Sequence, residues 1–434
     1  MKKKKPPEKP APPQKQSGWA TWAATGTFVC GALVVVARYA TRLYKWWTAS
    51  PLVVAPNATS ATIFRNERTG HLGAAGRNIV RLPTVDSIKP LPAQICEDGR
   101  FLETADLPSA KSGLDLVPHG LCFAQNPPTC FNNSSENIKN TVLNRVLALQ
   151  NALQQSHFDK FDLYVKMNVN RFFGANFGPV EAMTEAMWLK RFPISKRKLY
   201  AEAKETDSNT YKFFIKRELH SITTELESKQ MAGRCIFVPP PFLVRMIGPW
   251  ITSFAERLKS AWALRKMNGF FFACGSDART IGRFVERENW GEWKDVVYLE
   301  NDFSKFDSSL DEQMIGLESE VYKTLGMPSE VGVFLQRLRK PTHAIAPDGS
   351  KISFTGQRKS GDPNTTTGNS ILNAISMAWA LERCGLVLHR DFKIAVLGDD
   401  SLVIVDSEKA SLFKREDLEE CLAGLGLAPK MKKT

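Results

Sequence analysis

The sequence predicts an α+β protein with a membrane helix near its N-terminus. Three observations carry this reading. Helical periodicities, as at 138–153 and 182–192, alternate with short β-prone runs. Two such runs, 393–397 and 401–405, are separated only by Gly398-Asp399-Asp400 and read as a tight hairpin. Finally, 22 consecutive uncharged residues lie between Lys15 and Arg38. With 434 residues, 43% hydrophobic and 24% charged, the chain can bury one or two sizeable cores. That excludes disorder over most of its length and a fibrous architecture.

Residues 1–17 hold six Lys and five Pro without apolar periodicity, so they read as a disordered basic tail. Residues 18–48 read as a transmembrane or membrane-anchoring helix. Twenty-two residues at 1.5 Å each reach about 33 Å, enough for a hydrocarbon core of about 30 Å. Trp19 and Trp22 at one end, and Tyr39, Tyr44, Trp46 and Trp47 at the other, resemble the aromatic belts of a membrane segment. A signal peptide, a buried core helix and an interfacial helix compete with this reading, because Thr21, Thr25, Gly26, Thr27 and Gly31 dilute the apolarity. Lysines precede the segment and Arg38, Arg42 and Lys45 follow it, so charge assigns no orientation.

Residues 1–50 contain seven Lys, two Arg and one Glu, which is most of the formal charge of +13. The remainder is only modestly basic, which fits a nucleic-acid channel without demanding one. Eight cysteines without a CxxC pair exclude a disulfide scaffold and read as reduced thiols. His119, Cys122 and Cys130 lack an evident fourth zinc ligand. Residues 49–100 read as a linker or N-terminal extension, 101–290 as one region of mixed helices and strands, and 291–434 as a second, more legible one.

In that last region a strand is expected at 296–302, a helix at 308–325, and a hairpin of 344–346 with 351–354 around Pro347-Asp348-Gly349-Ser350. A helix follows at 365–384, with apolar positions 371, 372, 375, 378 and 379 on one stripe. Two carboxylates, Asp399 and Asp400, fall at the tip of the final hairpin, where adjacent anions repel. If the strand ending at Asp302 pairs beside that hairpin, Asp302 and Asp399 converge, with Asp307 five residues on. Convergent carboxylates suit two divalent cations, the apparatus of in-line phosphoryl and nucleotidyl transfer. Between these acidic elements, residues 360–369 form a Gly/Pro loop opening a helix whose first turns display hydroxyls and an amide, suited to phosphate or sugar oxygens.

Asp302-x4-Asp307, Ser360-Gly361-x3-Thr365-x3-Asn369 and Gly398-Asp399-Asp400, in that order, resemble motifs A, B and C of the viral RNA-dependent RNA polymerases of positive-strand RNA viruses, in the alphavirus-like or tombus/noda-like supergroups. The resemblance covers about 210 to 434. It implies a right-hand polymerase fold with fingers over 101–290 and palm over 291–434. It assigns Asp302 and Asp399 as metal-binding carboxylates, with Asp400 as the accessory acid beside them. Asp307 and Asn369 become the pair that senses the ribose 2′-hydroxyl, and Ser360, Gly361 and Thr365 the loop supporting that pair and the template nucleotide. Lys216, Arg217, Lys229 and Arg234 resemble motif F, whose cations neutralise the incoming triphosphate. Gly424 to Lys430 resembles motif D, making Lys430 the general acid for departing pyrophosphate, with Lys432 and Lys433 as rivals.

The implied cofactor is a pair of Mg²⁺ ions, with Mn²⁺ as a substitute. The implied partners are RNA template and product duplex, NTPs, an intracellular membrane, and other replicase subunits or a second copy. The implied location is the cytosolic face of a host membrane. The family continues into motif E and a thumb after motif D, so the thumb is expected to be missing, incomplete or supplied elsewhere. Two other functions compete. A reverse transcriptase shares the palm, but Asp307 with Asn369, and Gly398 before the Asp pair, argue against it. A membrane-bound RNA-recruiting scaffold without catalysis is disfavoured because all the expected carboxylates are present.

Overall fold

Two five-stranded sheets organise the computed structural model, which describes residues 101–103, 114–116, 129–147, 151–205, 209–218, 232–264, 266 and 268–433. The first sheet has the order β12 (Pro429–Lys433), β7 (Val296–Phe303), β11 (Asp400–Asp406), β10 (Phe392–Leu397), β6 (Phe270–Phe272). All its pairings are antiparallel except that of β10 with β6. Strands β10 and β11 are buried almost throughout, as Val-, Ile- and Leu-rich runs predict for strands in the middle of a sheet.

The Thr365–Arg383 helix packs on β10 and β11 and also touches the Gln155–Phe173, Glu312–Thr324 and Arg415–Gly424 helices. Surrounded in this way, it is buried continuously from Thr367 to Leu381, not along a single stripe. Trp379 meets Phe161 edge-on with ring centroids 5.5 Å apart. Each fully buried Leu, Ile or Phe in this core contributes about 1.5–3 kcal/mol. The helix is therefore anchored firmly enough to carry polar side chains toward the end of the sheet.

The second sheet has the order β1 (Phe101–Glu103), β9 (Lys351–Phe354), β8 (Thr342–Ile345), β4 (Thr210–Ile215), β5 (Cys235–Val238). Alternation along β4 sends Tyr211, Phe213 and Ile215 inward, where they join Phe131, Ile138, Phe237 and Phe354 in a separate core. A short pair, β2 (Leu114–Leu116) with β3 (Thr129–Phe131), completes the strands among the described residues. Sheet membership cuts across chain order. The β8–β9 hairpin, from the 291–434 region, pairs in parallel with β4, whereas β6, from the 101–290 region, joins the first sheet.

Several expected elements are corrected. The helix expected over 308–325 is two pieces, Phe306–Ser309 and Glu312–Thr324. Leu310 is extended between them, and the Asp311 side chain accepts from Met314 N to start the second piece. The pattern at 138–153 is an α-helix, Ser135–Thr141, running into a π-helical turn, Val142–Val146. Only Glu185–Lys190 of the 182–192 pattern is helical, capped by Thr184. The final hairpin turn has two residues, not three, because Asp400 pairs with Leu397 and belongs to β11.

Among the described residues no helix is long and apolar enough to cross a membrane. The membrane segment expected at 18–48, the basic tail and the 49–100 linker lie outside the described residues, as do His119, Cys122 and Lys229.

Candidate active site

Asp302 is exposed near the end of β7, whereas its neighbours Asn301 and Phe303 are buried, as strand alternation requires. It stands opposite Asp400 of β11 on one side and Lys430 of β12 on the other. Residues directly opposite one another share a face, so the three side chains form one row. Lys430 Nζ lies 3.8 Å from Asp302 Oδ2. Lys432 stands opposite Glu300 and Lys433 opposite Leu299, both farther from the strand end, which singles out Lys430 among the three.

The turn beside this row is Gly398-Asp399. Gly398 has φ +66°, a conformation that costs a side-chain-bearing residue energy. Its N–H donates to Ser370 Oγ at 2.8 Å, and its carbonyl accepts from Asn373 Nδ2 at 3.1 Å. Ser370 and Asn373 are fully buried on the central helix. The helix thereby holds both backbone groups of the residue before Asp399.

Asp307 reaches the same place by a reversal. Lys305 adopts the left-handed conformation, φ 52°, and turns the chain from β7 into the one-turn helix Phe306–Ser309. The Phe303 and Phe306 rings, both buried, pack 4.9 Å apart and anchor the reversal. Asp307 Oδ1 then accepts from Asn369 Nδ2 at 2.7 Å, and Oδ2 accepts from the Ser360 hydroxyl. Behind them, Arg358 Nε donates to Asn369 Oδ1 at 3.0 Å, and Arg358 is paired with the buried Glu318. Thr365 serves the loop: its hydroxyl lies 3.0 Å and 2.9 Å from the carbonyls of Lys359 and Asp362. Gly361 packs its backbone on the Phe237 carbonyl, where a Cβ would come within 1.9 Å.

Asp302, Asp307, Asp399, Ser360, Thr365 and Asn369 line one cavity of about 360 Å³, together with Lys216, Arg234 and Lys430. Arg145, Lys305 and Arg358 add three cations that the sequence did not single out. Gly361, Arg217 and Asp400 are not part of the lining. Arg217 instead has its guanidinium 3.7 Å from Cys130 Sγ. Lys216 and Arg234 are drawn together by Glu218, at 2.7 Å and 3.7 Å, and by the bond from Lys216 N to the Arg234 carbonyl. A larger cleft, about 860 Å³ around Trp290, Trp293 and Lys393, lies where β10 begins and β11 ends. It contains none of the motif residues, so cavity size does not locate the site.

Charge is crowded in the smaller cavity. The Asp399 carboxyl is pushed up to about 6, first by desolvation among the cavity walls and then by the Asp307 and Asp302 carboxylates. The turn is nevertheless exposed, so water screens much of this repulsion. Burial, with the Asp307 carboxylate, pushes the Cys235 thiol up to about 12, which keeps it protonated and removes it as a nucleophile. Lys305 is lowered by desolvation and by the neighbouring Arg145 and Lys430 charges.

Carboxylate oxygens are hard donors suited to Mg²⁺ or Mn²⁺, and a divalent cation would relieve the repulsion felt by Asp399. Among the described residues no group of three or more His, Cys, Asp or Glu side chains is placed to hold a metal ion by itself. An open carboxylate site, completed by water and substrate phosphates, suits Mg²⁺ in particular.

The first sheet thus ends in a row holding Asp302 and Asp400, backed by a helix that holds the adjoining turn. The model of the RNA dependent RNA polymerase family matches residues 137–431, and the chain belongs to that family. It is 27% identical over 262 residues to an RNA-directed RNA polymerase of Oat chlorotic stunt virus, covering 56% of this chain and 33% of that protein. It is 28% identical over 220 residues to the non-structural polyprotein pORF1 of a genotype 3 Hepatitis E virus, covering 50% of this chain and 12% of that one. It is 39% identical over 106 residues to the replicase large subunit of Tobamovirus Ob, covering 24% and 6%. The chain thus spans a third or less of the length of these relatives.

Proposed function

We propose that this site extends an RNA strand on an RNA template, transferring nucleotides from NTPs to a 3′-hydroxyl during viral genome replication and transcription. The observation that carries the reading is that Asp302 and Lys430, opposite each other on β7 and β12, line one cavity together with the Gly398-Asp399 turn and the hydrogen-bonded Asp307–Asn369 pair, with Asp400 opposite Asp302 on its other side. Asp302 and Asp399, with Asp400 adjacent, would hold two Mg²⁺ ions, or Mn²⁺, which supply Lewis-acid activation of the attacking hydroxyl and stabilisation of the leaving pyrophosphate.

The protein's own groups do the rest. Lys216, Arg234, Arg145 and Lys305 offer cations to the triphosphate, at positions fixed partly by Glu218 and by the bond from Arg145 Nε to the Ala232 carbonyl at 2.9 Å. Asp307 and Asn369 receive the sugar: one accepts and the other donates, so a 2′-hydroxyl completes their network. Lys430 stands ready to hand a proton to the departing pyrophosphate, its charge held by Asp302 until then. RNA is held mainly through phosphates, which makes binding strongly salt-dependent.

The experiment is incorporation by the full chain on a primed RNA template with Mg²⁺, NTPs and dNTPs being supplied in parallel. Ribonucleotide incorporation supports the reading. Preference for dNTPs would favour a reverse transcriptase, and RNA binding without incorporation a recruiting scaffold. We further propose that residues 18–48 tether the polymerase to the cytosolic face of a host intracellular membrane, with other replicase subunits or a second copy as neighbours.

A further inference from the structure

Asn369 can face Asp307 correctly in only one of its two amide orientations. With Nδ2 toward Asp307 it donates to a carboxylate; flipped, it would set a carbonyl against one. Its partner on the other side is Arg358, whose Nε lies 3.0 Å from Asn369 Oδ1. A guanidinium only donates, so Arg358 accepts no orientation but the one that aims Nδ2 at Asp307. The 2.7 Å bond from Nδ2 to Asp307 Oδ1 is thus set from behind.

Arg358 is in turn held by a group that has no other role in the site. Its Nη2 is bonded to Glu318 Oε2, and both side chains are 1% exposed. The second oxygen of Glu318 accepts from Asn364 Nδ2 at 2.8 Å. Glu318 comes from the Glu312–Thr324 helix and Asn364 from the residue preceding the central helix. Gly368 opens the slot between them: a Cβ there would lie 2.0 Å from Glu318 Oε1 and 2.7 Å from Arg358 Nη2. Arg358 N also donates to the Asp307 carbonyl at 3.1 Å, so one residue touches both members of the pair.

We propose that the buried Glu318–Arg358 ion pair is the positioning device for sugar selection, locking the Asn369 amide so that Asp307 and Asn369 present a fixed acceptor and donor to the ribose 2′-hydroxyl. This rests on the reading of Asp307 and Asn369 as the sugar-sensing pair. A buried pair is not required for stability, since apolar replacements of similar volume commonly serve as well. What apolar residues cannot supply is the orientation of an amide. A donor that turns freely accepts a ribonucleotide less well, and the site loses its preference.

The test measures kcat and KM for an NTP and its dNTP on a primed RNA template, using the full chain. Three variants are compared: Asn369→Ala, the paired replacement Arg358→Met with Glu318→Leu, and Arg358→Lys. The paired replacement avoids leaving one charge buried alone. Arg358→Lys keeps the charge against Glu318 but loses the planar fork that reaches Asn369. Both are expected to lower ribo-over-deoxy discrimination about tenfold, mainly through kcat for the ribonucleotide, with RNA binding unchanged. Asn369→Ala reports on the underlying reading: unchanged discrimination there overturns the sugar-sensing pair itself. If Asn369→Ala loses discrimination while the folded paired variant keeps it, the positioning proposal is overturned and the pair survives. Equal losses for both sugars overturn it too, because they mark a structural role. Should the paired variant fail to fold, Arg358→Lys decides alone, and wild-type discrimination in it overturns the proposal.

Discussion

Asn373, buried in the central helix, donates its side-chain amide to the carbonyl of Gly398 at 3.1 Å. With Ser370 on the N–H of the same glycine, it couples the helix behind the sheet to the turn that carries Asp399. A turn residue whose backbone groups are both bonded to a buried helix cannot drift relative to the strands beside it.

Replacing Asn373 by Ala is expected to slow nucleotide incorporation about ten- to a hundredfold by letting Asp399 move, while RNA affinity stays within about twofold. Single-turnover rates alongside filter-binding affinities check this. Unchanged rates would mean that Ser370 and the strand register hold the turn unaided.

Lys430→Arg preserves the charge beside Asp302 but replaces an ammonium, which can pass a proton to a leaving group, with a guanidinium that stays protonated. Incorporation is expected to fall about ten- to a hundredfold, with nucleotide affinity little changed. Wild-type rates in this variant would leave Lys430 as an ion-pair partner only.

Asp399 also imposes a pH dependence on the metal-free protein. Its folded pKa of about 6 stands above the ordinary 3.8, so the folded state binds the proton more tightly than the unfolded state does. Stability from this group is therefore full below about pH 4 and is lost as pH rises through 6. Screening at the exposed turn limits the effect to about 1 kcal/mol or less. In chelator at pH 7, Asp399→Asn should melt about 1–4 °C above the parent, and the gap should close by pH 4. A lower melting temperature for Asp399→Asn at pH 7 would contradict the crowding of carboxylates.

Deleting residues 1–48 is expected to release the protein from membranes that otherwise retain it through carbonate extraction, since burying 22 uncharged residues outweighs a surface-charge attachment. A deleted protein that still sediments with membranes would contradict the anchor.

The groups legible in the sequence share a property: Asp302, Asp307, Ser360, Asn369 and Asp399 sit at fixed spacings within short segments. The strands carrying them were legible as well, because Val296–Phe303, Phe392–Leu397 and Asp400–Asp406 are β-rich runs bounded by turn residues. Glu318 and Arg358 were not legible. They are 40 residues apart, and Glu318, with Glu320 two residues on, reads as part of a solvated helix face until the fold buries it. Ser370 and Asn373 were hidden for a related reason, since polar residues on an apolar helix show no partner until β10 and β11 pack against it. The break after Ser309 did have a signal: Asp311 before Glu312 is a helix-start residue, outweighed by the apolar periodicity on both sides. Arg145 and Lys305 reach the cavity only through the π-helical turn and the left-handed residue, neither of which periodicity reveals.

The most direct measurement is Mg²⁺-dependent incorporation of one NTP on a primed RNA template by Asp302→Ala and Asp399→Ala, with RNA affinity determined on the same preparations. Asp302 on the strand and Asp399 at the turn beside it, lining one cavity, predict that both variants lose incorporation by at least about a thousandfold while RNA affinity stays within about threefold, because the basic walls of the cavity are untouched. Full incorporation by either variant would contradict the assignment of Asp302 and Asp399 as the groups that hold the catalytic cations.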